Sequence, residues 1–216
     1  MNDLCVLVEG ETEARFVRDV LAPYLAGKNV RVYNINFKGH ANFDRLDRML
    51  SGVLSERGRK HVSMMIDFFR IDTGWPGLES LPKNASGAEK VSHIEQATAA
   101  EIQKRHSDWN VRDRFTPYIQ LHEFEALLFA APVELSRISG IGYPCIEKVI
   151  QECGMPENIN SGPETSPSKR LIHLSASGRY DKTVVGVEVP RAVGIDAIRA
   201  RCPHFNEWVT RLERIA

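Results

Sequence analysis

The sequence predicts an α/β fold: a mainly parallel four-stranded sheet flanked by helices over residues 1–131, with a helical C-terminal extension over 132–216 packed on that core. Three observations carry this reading. Short apolar runs alternate with helical apolar spacing in the order β-α-β-α-β-α-β-α, which calls for right-handed crossovers and largely parallel strands. The first run, Cys5-Val6-Leu7-Val8, is apolar without alternation, as in a strand buried on both faces. From Pro132 onward strand signals fade and Pro/Gly turns separate short helical segments.

The elements follow in order. The strand at residues 4–8 stops at Glu9-Gly10, and Glu11 or Thr12 opens a helix on Phe16, Val17, Val20, Leu21 and Leu25 that Pro23 ends or kinks. Residues 30–37 form a second strand. Phe43, Leu46, Leu50, Val53 and Leu54 make an amphipathic helix stopped near Gly58. Residues 62–69, VSMMIDFF, are a third strand, and the loop RIDTGWPGLESLPKNASG after it is long enough to suggest function. A helix at 88–106, a strand at 115–121 and a helix at 123–130 complete the core. Short helices are expected around 143–153, 166–175, 190–200 and 203–215.

Composition narrows the function classes. With 43% hydrophobic residues the chain can bury a substantial core, and 28 basic against 28 acidic residues sum to zero, which excludes a bulk-basic nucleic-acid binder but not a local basic surface. Cys5, Cys145, Cys153 and Cys202 lack zinc-site spacing and read as reduced, mostly buried thiols. The N-terminus lacks the pattern of a secretory signal and no apolar stretch approaches the roughly 20 residues of a membrane span, so a cytoplasmic protein is expected. Phosphate-loop, dinucleotide-binding and G-x-S-x-G motifs are absent.

In an open α/β sheet, ligands bind outside the carboxyl ends of the strands, so polar residues there take priority. Three groups qualify: Glu9-Gly10-Glu11-Thr12-Glu13 after the first strand, Asp67 with Asp72 after the third, and His122-Glu123-Phe124-Glu125 after the fourth. Converging carboxylates repel unless a cation joins them, and hard oxygen donors favour magnesium, or manganese in its place, which suggests metal-dependent phosphoryl chemistry. Glu9 and Asp67, each directly after a buried strand, read as site residues. Glu11 and Glu13, in a first helical turn, read as acids meeting the helix dipole or facing solvent. Glu123 and Glu125 lie two apart and cannot share one helix face, so one points at the site and the other meets solvent or an arginine. His122 is either a satisfied, partly buried histidine or a site residue. GPETSPSKR is either a helix-start loop or a phosphate-contacting loop using Ser168, Lys169 and Arg170, and Tyr180-Asp181-Lys182 is equally open.

Val8-Glu9-Gly10-Glu11-Thr12-Glu13 resembles the V-E-G-x-[TS]-E opening of Toprim domains, the catalytic fold of topoisomerases, primases and overcoming-lysogenization-defect nucleases. The whole chain is more closely similar to the Toprim-related bacterial family called domain of unknown function 4276, through VEGETEARFV with LAPYL, MMIDFFRIDTGWPG, PYIQLHEFEALLF, GPETSPSKR followed by YDK, and CPHFNEWVTRL. The resemblance implies Glu9 as general acid/base and Asp67 as the first magnesium-holding aspartate, with Gly10 and Thr12 in the motif that contacts substrate. It also implies a nucleic-acid substrate and an ATPase partner in antiphage defence. One departure matters: Toprim domains carry D-x-D where this chain reads Asp67-Phe68-Phe69, so Asp72, Glu123 or Glu125 replaces the second aspartate, or the metal site is weakened or lost. The expected activity is a magnesium-dependent nuclease in which Asp67 works with Glu123 or Glu125, and Lys169, Arg170 or Lys182 contacts phosphates. The alternatives are a non-catalytic subunit binding nucleic acid or an ATPase, with Glu9 held in a salt bridge by Arg70 or Lys169, and a hydrolase of small phosphorylated molecules.

Overall fold

The computed structural model describes residues 2–37, 42–55, 60–159, 162 and 164–215. Strand β1 (Asn2–Val8) lies between β2 (Val30–Asn36) and β3 (Lys60–Asp67), and β4 (Phe115–Thr116) lies beyond β3, so the order is β2-β1-β3-β4 with every pairing parallel. Alternate residues of the central strands enter two different cores. Leu4, Val6, Val8 and Met65 face one apolar cluster, while Cys5, Leu7, Met64 and Ile66 face the other. This explains the unbroken apolar run in β1: helices cover the sheet on both sides.

The first helix does not end at Pro23. It runs as α1 (Glu11–Phe16), a π-helical turn (Val17–Leu21) and α2 (Ala22–Ala26). Proline has no N–H to give to the preceding turn, and the wider turn resets the register so that Pro23 falls in the opening turn of α2. The amphipathic helix α3 (Phe43–Leu54) follows β2; its expected stop at Gly58 lies outside the described residues. The loop after β3 begins with a 3-10 turn (Phe68–Arg70) and leads to α4 (Gly87–Arg105), opened by a capping box between Ser86 and Glu89.

Two expectations need correction. The strand expected at 115–121 is two short pieces, β4 (Phe115–Thr116) and β5 (Ile119–Gln120), entered from a one-turn helix α5 (Val111–Arg114). Pro117 lies between the pieces and cannot donate to a ladder, so each pairs separately with β3. The segment expected as an α-helix at 123–130 is a 3-10 helix (Phe124–Ala130), every residue of which is buried, Glu125 included.

After Ala131 come α6 (Pro132–Ser139), α7 (Tyr143–Cys153), α8 (Pro167–Leu174), α9 (Lys182–Arg199) and α10 (Pro203–Glu213). The helix α9 begins eight residues before the expected start at Pro190, because Asp181 caps it by accepting from the Val184 N–H at 2.9 Å, and it kinks at Gly194. Leu135, Ile146, Leu171, Val185, Phe205 and Trp208 share one apolar cluster with Leu4, Val6 and Val8 of β1. These helices therefore complete the core on one face of the sheet. Among the described residues no helix is long and apolar enough to cross a membrane. Cys5 and Cys202 are buried, but Cys145 is exposed and Cys153 half-buried, a correction to the buried thiols expected.

Candidate functional site

The chain leaves β1 for β2 on one side and occupies β3 on the other, so the crossover direction reverses beside β1. Such a reversal opens a crevice at the carboxyl ends of the two central strands. Glu9 follows β1 directly and Asp67 ends β3, which places both at that crevice.

Two further carboxylates join them. Gly10 makes the turn into α1, and a Cβ there would stand 2.7 Å from Glu13 Oε2, so glycine leaves the space into which the Glu13 carboxylate folds back. Glu13 is 6% exposed, whereas Glu11 is solvent-facing and paired with Arg15 at 2.8 Å. Reading both as first-turn acids fits Glu11 and misplaces Glu13; the detectable signal was the pairing of Glu13 with a glycine three residues earlier. From the 3-10 helix, Glu125 is fully buried, and its Oε1 accepts from the Tyr180 hydroxyl at 2.9 Å and from Lys182 Nζ at 2.8 Å.

These groups repel one another. Burial first, then the neighbouring charges of Glu13, Glu125 and Glu9, push the Asp67 carboxyl far above the ordinary carboxylate range. Burial also raises Glu13, with Glu125 adding to the shift. Burial lifts Glu9 to about 7, with Glu13 contributing, against the opposing pull of Arg70 and of the Asp67 backbone N–H. Lys182 is the compensating cation: burial works against its charge, but Glu125, Glu13 and Asp67 outweigh that and hold its pKa above the ordinary value.

Partners at the site are incomplete. Asp67 Oδ1 accepts the Phe124 N–H at 3.0 Å, and Glu9 Oε1 meets Arg70 Nε at 3.2 Å. Glu9 Oε2 and Glu125 Oε2 are buried with no hydrogen-bond partner among the described residues. Among the described residues no three Asp, Glu, His or Cys side chains are gathered closely enough to hold a metal ion as they stand. The donor set of Glu9, Glu13, Asp67 and Glu125, all hard oxygens with two of them orphaned, nonetheless fits a magnesium or manganese ion in kind.

The other expected site residues lie as follows. Thr12 is buried with its methyl against Gly186 of α9, where a Cβ would come within 2.4 Å. Glu123 turns away from the carboxylates and accepts the Ser168 N–H at the start of α8 at 2.8 Å. Ser168 Oγ faces Ser166, Lys169 is exposed, and Arg170 is tied to the Thr165 carbonyl and to Glu152. Pro163 of the same tract lies outside the described residues. Asp72 is carried away by the Phe68–Arg70 turn into a hollow lined by Asn42, Asp44, Arg48 and Arg105. His122 sits in the left-handed region at φ 66° with Nδ1 unpartnered; burial depresses its pKa, so its ring is neutral near pH 7.

A family model described as domain of unknown function, DUF4276, matches residues 8–213. The chain belongs to the DUF4276 family. No curated protein matches it. The C-terminal region of the OLD protein of Xanthomonas campestris pv. campestris, phased with iodine, is similar at a TM-score of 0.45 and 14% identity, covering 98% of this chain and 94% of that one. The matched residues include Glu9, Glu13, Asp67, Glu125 and Lys182.

Proposed function

We propose that this DUF4276 protein is a magnesium-dependent nuclease that hydrolyses phosphodiesters. The observation that carries the reading is the set of four carboxylates, buried Glu13, Asp67 and Glu125 with partly buried Glu9, whose charges act on one another at the carboxyl ends of the central strands and two of whose oxygens have no partner among the described residues. Burying like charges is costly, and Lys182 is one cation against four carboxylates, so a further cation or a reacting group would complete the set. A divalent cation bound there supplies charge neutralisation and an acidified water. Glu9 takes a proton from the attacking water, Asp67 with Glu13 and Glu125 provides the negative ligand set, and Lys182 orients a phosphate from the rim. Lys169 adds a solvent-facing cation for the nucleic acid, and Glu123 positions the N-terminus of α8. An ATPase partner in antiphage defence fits the same reading.

Purified protein given magnesium or manganese is expected to cut DNA or RNA, and Glu9→Gln and Asp67→Asn are each expected to abolish cutting. Activity that survives both substitutions overturns the assignment.

The Arg70–Glu9 ion pair favours a second reading, a non-catalytic subunit that binds nucleic acid or an ATPase. Arg70 is 62% exposed, so the pair is solvent-screened and weak. A crystal soaked in manganese separates the two: density beside Glu9 and Asp67 supports the enzyme, and an undisturbed ion pair without metal supports the subunit.

A further inference from the structure

The segment that follows Asp67 carries an aromatic feature that acid chemistry does not use. Phe69 stands two residues after Asp67 and is 56% exposed, against 38% for the exposed tyrosines Tyr33 and Tyr143. A single exposed ring is ordinary on a protein surface, so it is the setting of this one, beside His122, Arg70 and the strand-end acids, that points to a ligand. The Phe69 ring has aromatic neighbours on two sides. His122 lies behind it, with ring centroids 5.9 Å apart and planes 17° from parallel, and Phe68 braces it edge-on at 5.1 Å and 86°. His122 reaches this position from a left-handed backbone conformation that non-glycine residues rarely adopt, so the surrounding fold holds the pair against local strain. Arg70, the next residue, is exposed and touches Glu9.

A braced, outward-facing ring beside a cation and a phosphoryl-transfer site is suited to a nucleobase. We propose that Phe69, backed by His122, is a stacking platform for one unpaired base, so that the polynucleotide entering the Glu9–Asp67 crevice is single-stranded or locally unpaired, with Arg70 on the adjoining phosphate. Bases inside a duplex present only their edges to a side chain, whereas an unpaired base offers its face. A single ring flanked by charge is too small for the apolar centre of a protein interface. The proposal rests on the nuclease reading for its substrate class and adds what selects the strand.

The test is fluorescence anisotropy on the full chain in calcium, with strand integrity checked on gels. The probes are labelled single-stranded DNA, single-stranded RNA, the same DNA as a duplex, and a DNA strand with a run of abasic sites. An intact single strand is expected to bind roughly tenfold or more tighter than either the duplex or the abasic strand. Phe69→Ala and Phe69→Leu are expected to weaken that binding by roughly tenfold and leave the abasic strand unaffected, while Phe69→Trp retains it. Equal affinity of the unaltered protein for intact and abasic strands overturns the platform without any variant, as does unchanged binding by Phe69→Ala or no binding of any strand. Cutting without base dependence sinks the platform and spares the nuclease. Base-dependent binding in calcium with no cutting in magnesium or manganese does the reverse.

Discussion

Two regions of this molecule bury acids, and they do so in opposite ways. Between α4 and α10 runs a groove of about 1010 Å³ whose floor holds Glu95, Glu157 and His204. There the carboxylates meet donors at hydrogen-bond distance. Glu95 accepts the Ile119 N–H at 2.8 Å and meets His204 Nε2 at 3.1 Å, while Glu157 accepts the His204 and Phe205 N–H groups at 3.0 and 2.9 Å. Those last two are the orphan donors at the start of α10, whose own N-cap, Cys202, gives no side-chain bond. At the strand ends, by contrast, the carboxylates raise the cost of one another's charge, and although Glu9, Asp67 and Glu125 each have one oxygen paired, Glu9 Oε2 and Glu125 Oε2 have no partner among the described residues. Burial alone does not distinguish the two sets of acids; the partner of each oxygen does.

The strongest way to break this comparison is to remove an acid that holds the fold. Glu157→Ala leaves two buried N–H groups of α10 without acceptors, and it is expected to lower unfolding stability by about 2–5 kcal/mol. Urea denaturation measures this, and a loss under about 1 kcal/mol would place Glu157 with the crevice acids instead.

Replacing a crevice acid acts in the other direction and depends on pH. The folded-state pKa of Glu9 is raised from 4.5 to about 7, so between those values the unfolded chain has released a proton that the folded chain keeps. Stability contributed by this group is present below 4.5 and is lost as pH rises towards 7, a change of about 3 kcal/mol, and the raised Asp67 and Glu13 add losses of the same sign. Metal-free protein is therefore expected to lose stability between pH 5 and pH 8, and Glu9→Gln to flatten that slope. Parallel profiles for the two proteins would show that Glu9 ionises freely in the fold.

How much of this was legible in the sequence follows from what each signal encodes. β1 and β3 are unbroken apolar runs, so Glu9 and Asp67 could be assigned to strand ends without knowledge of any contact. Residues placed by turns could not. Glu13 looks like an ordinary first-turn acid, and only the packing of α1 turns it inward over Gly10. Asp72 looks like a near neighbour of Asp67, but a single 3-10 turn sends it to another hollow. Glu123 and Glu125 were recognisable as a pair in which one member serves the site, yet which one depended on the segment being a buried 3-10 helix rather than an amphipathic α-helix. Lys182 was ambiguous because its role comes from a contact made by α9, far along the chain from the acid it neutralises.

The finest test of the comparison lies within four residues of one motif. Glu11 and Glu13 share the first turn of α1, and sequence alone treats them alike. Glu11 is 62% exposed and its salt bridge to Arg15 is equally open to water, so the Coulomb gain of the pair is offset by solvent screening and by the entropy of holding two long side chains together. Glu11→Ala is expected to shift the thermal midpoint by less than about 2 °C and to leave metal-dependent cutting unchanged. A midpoint shift well beyond that, or a loss of cutting, would mean that Glu11 also belongs to the crevice, and the inward fold of Glu13 over Gly10 would no longer be what separates the two.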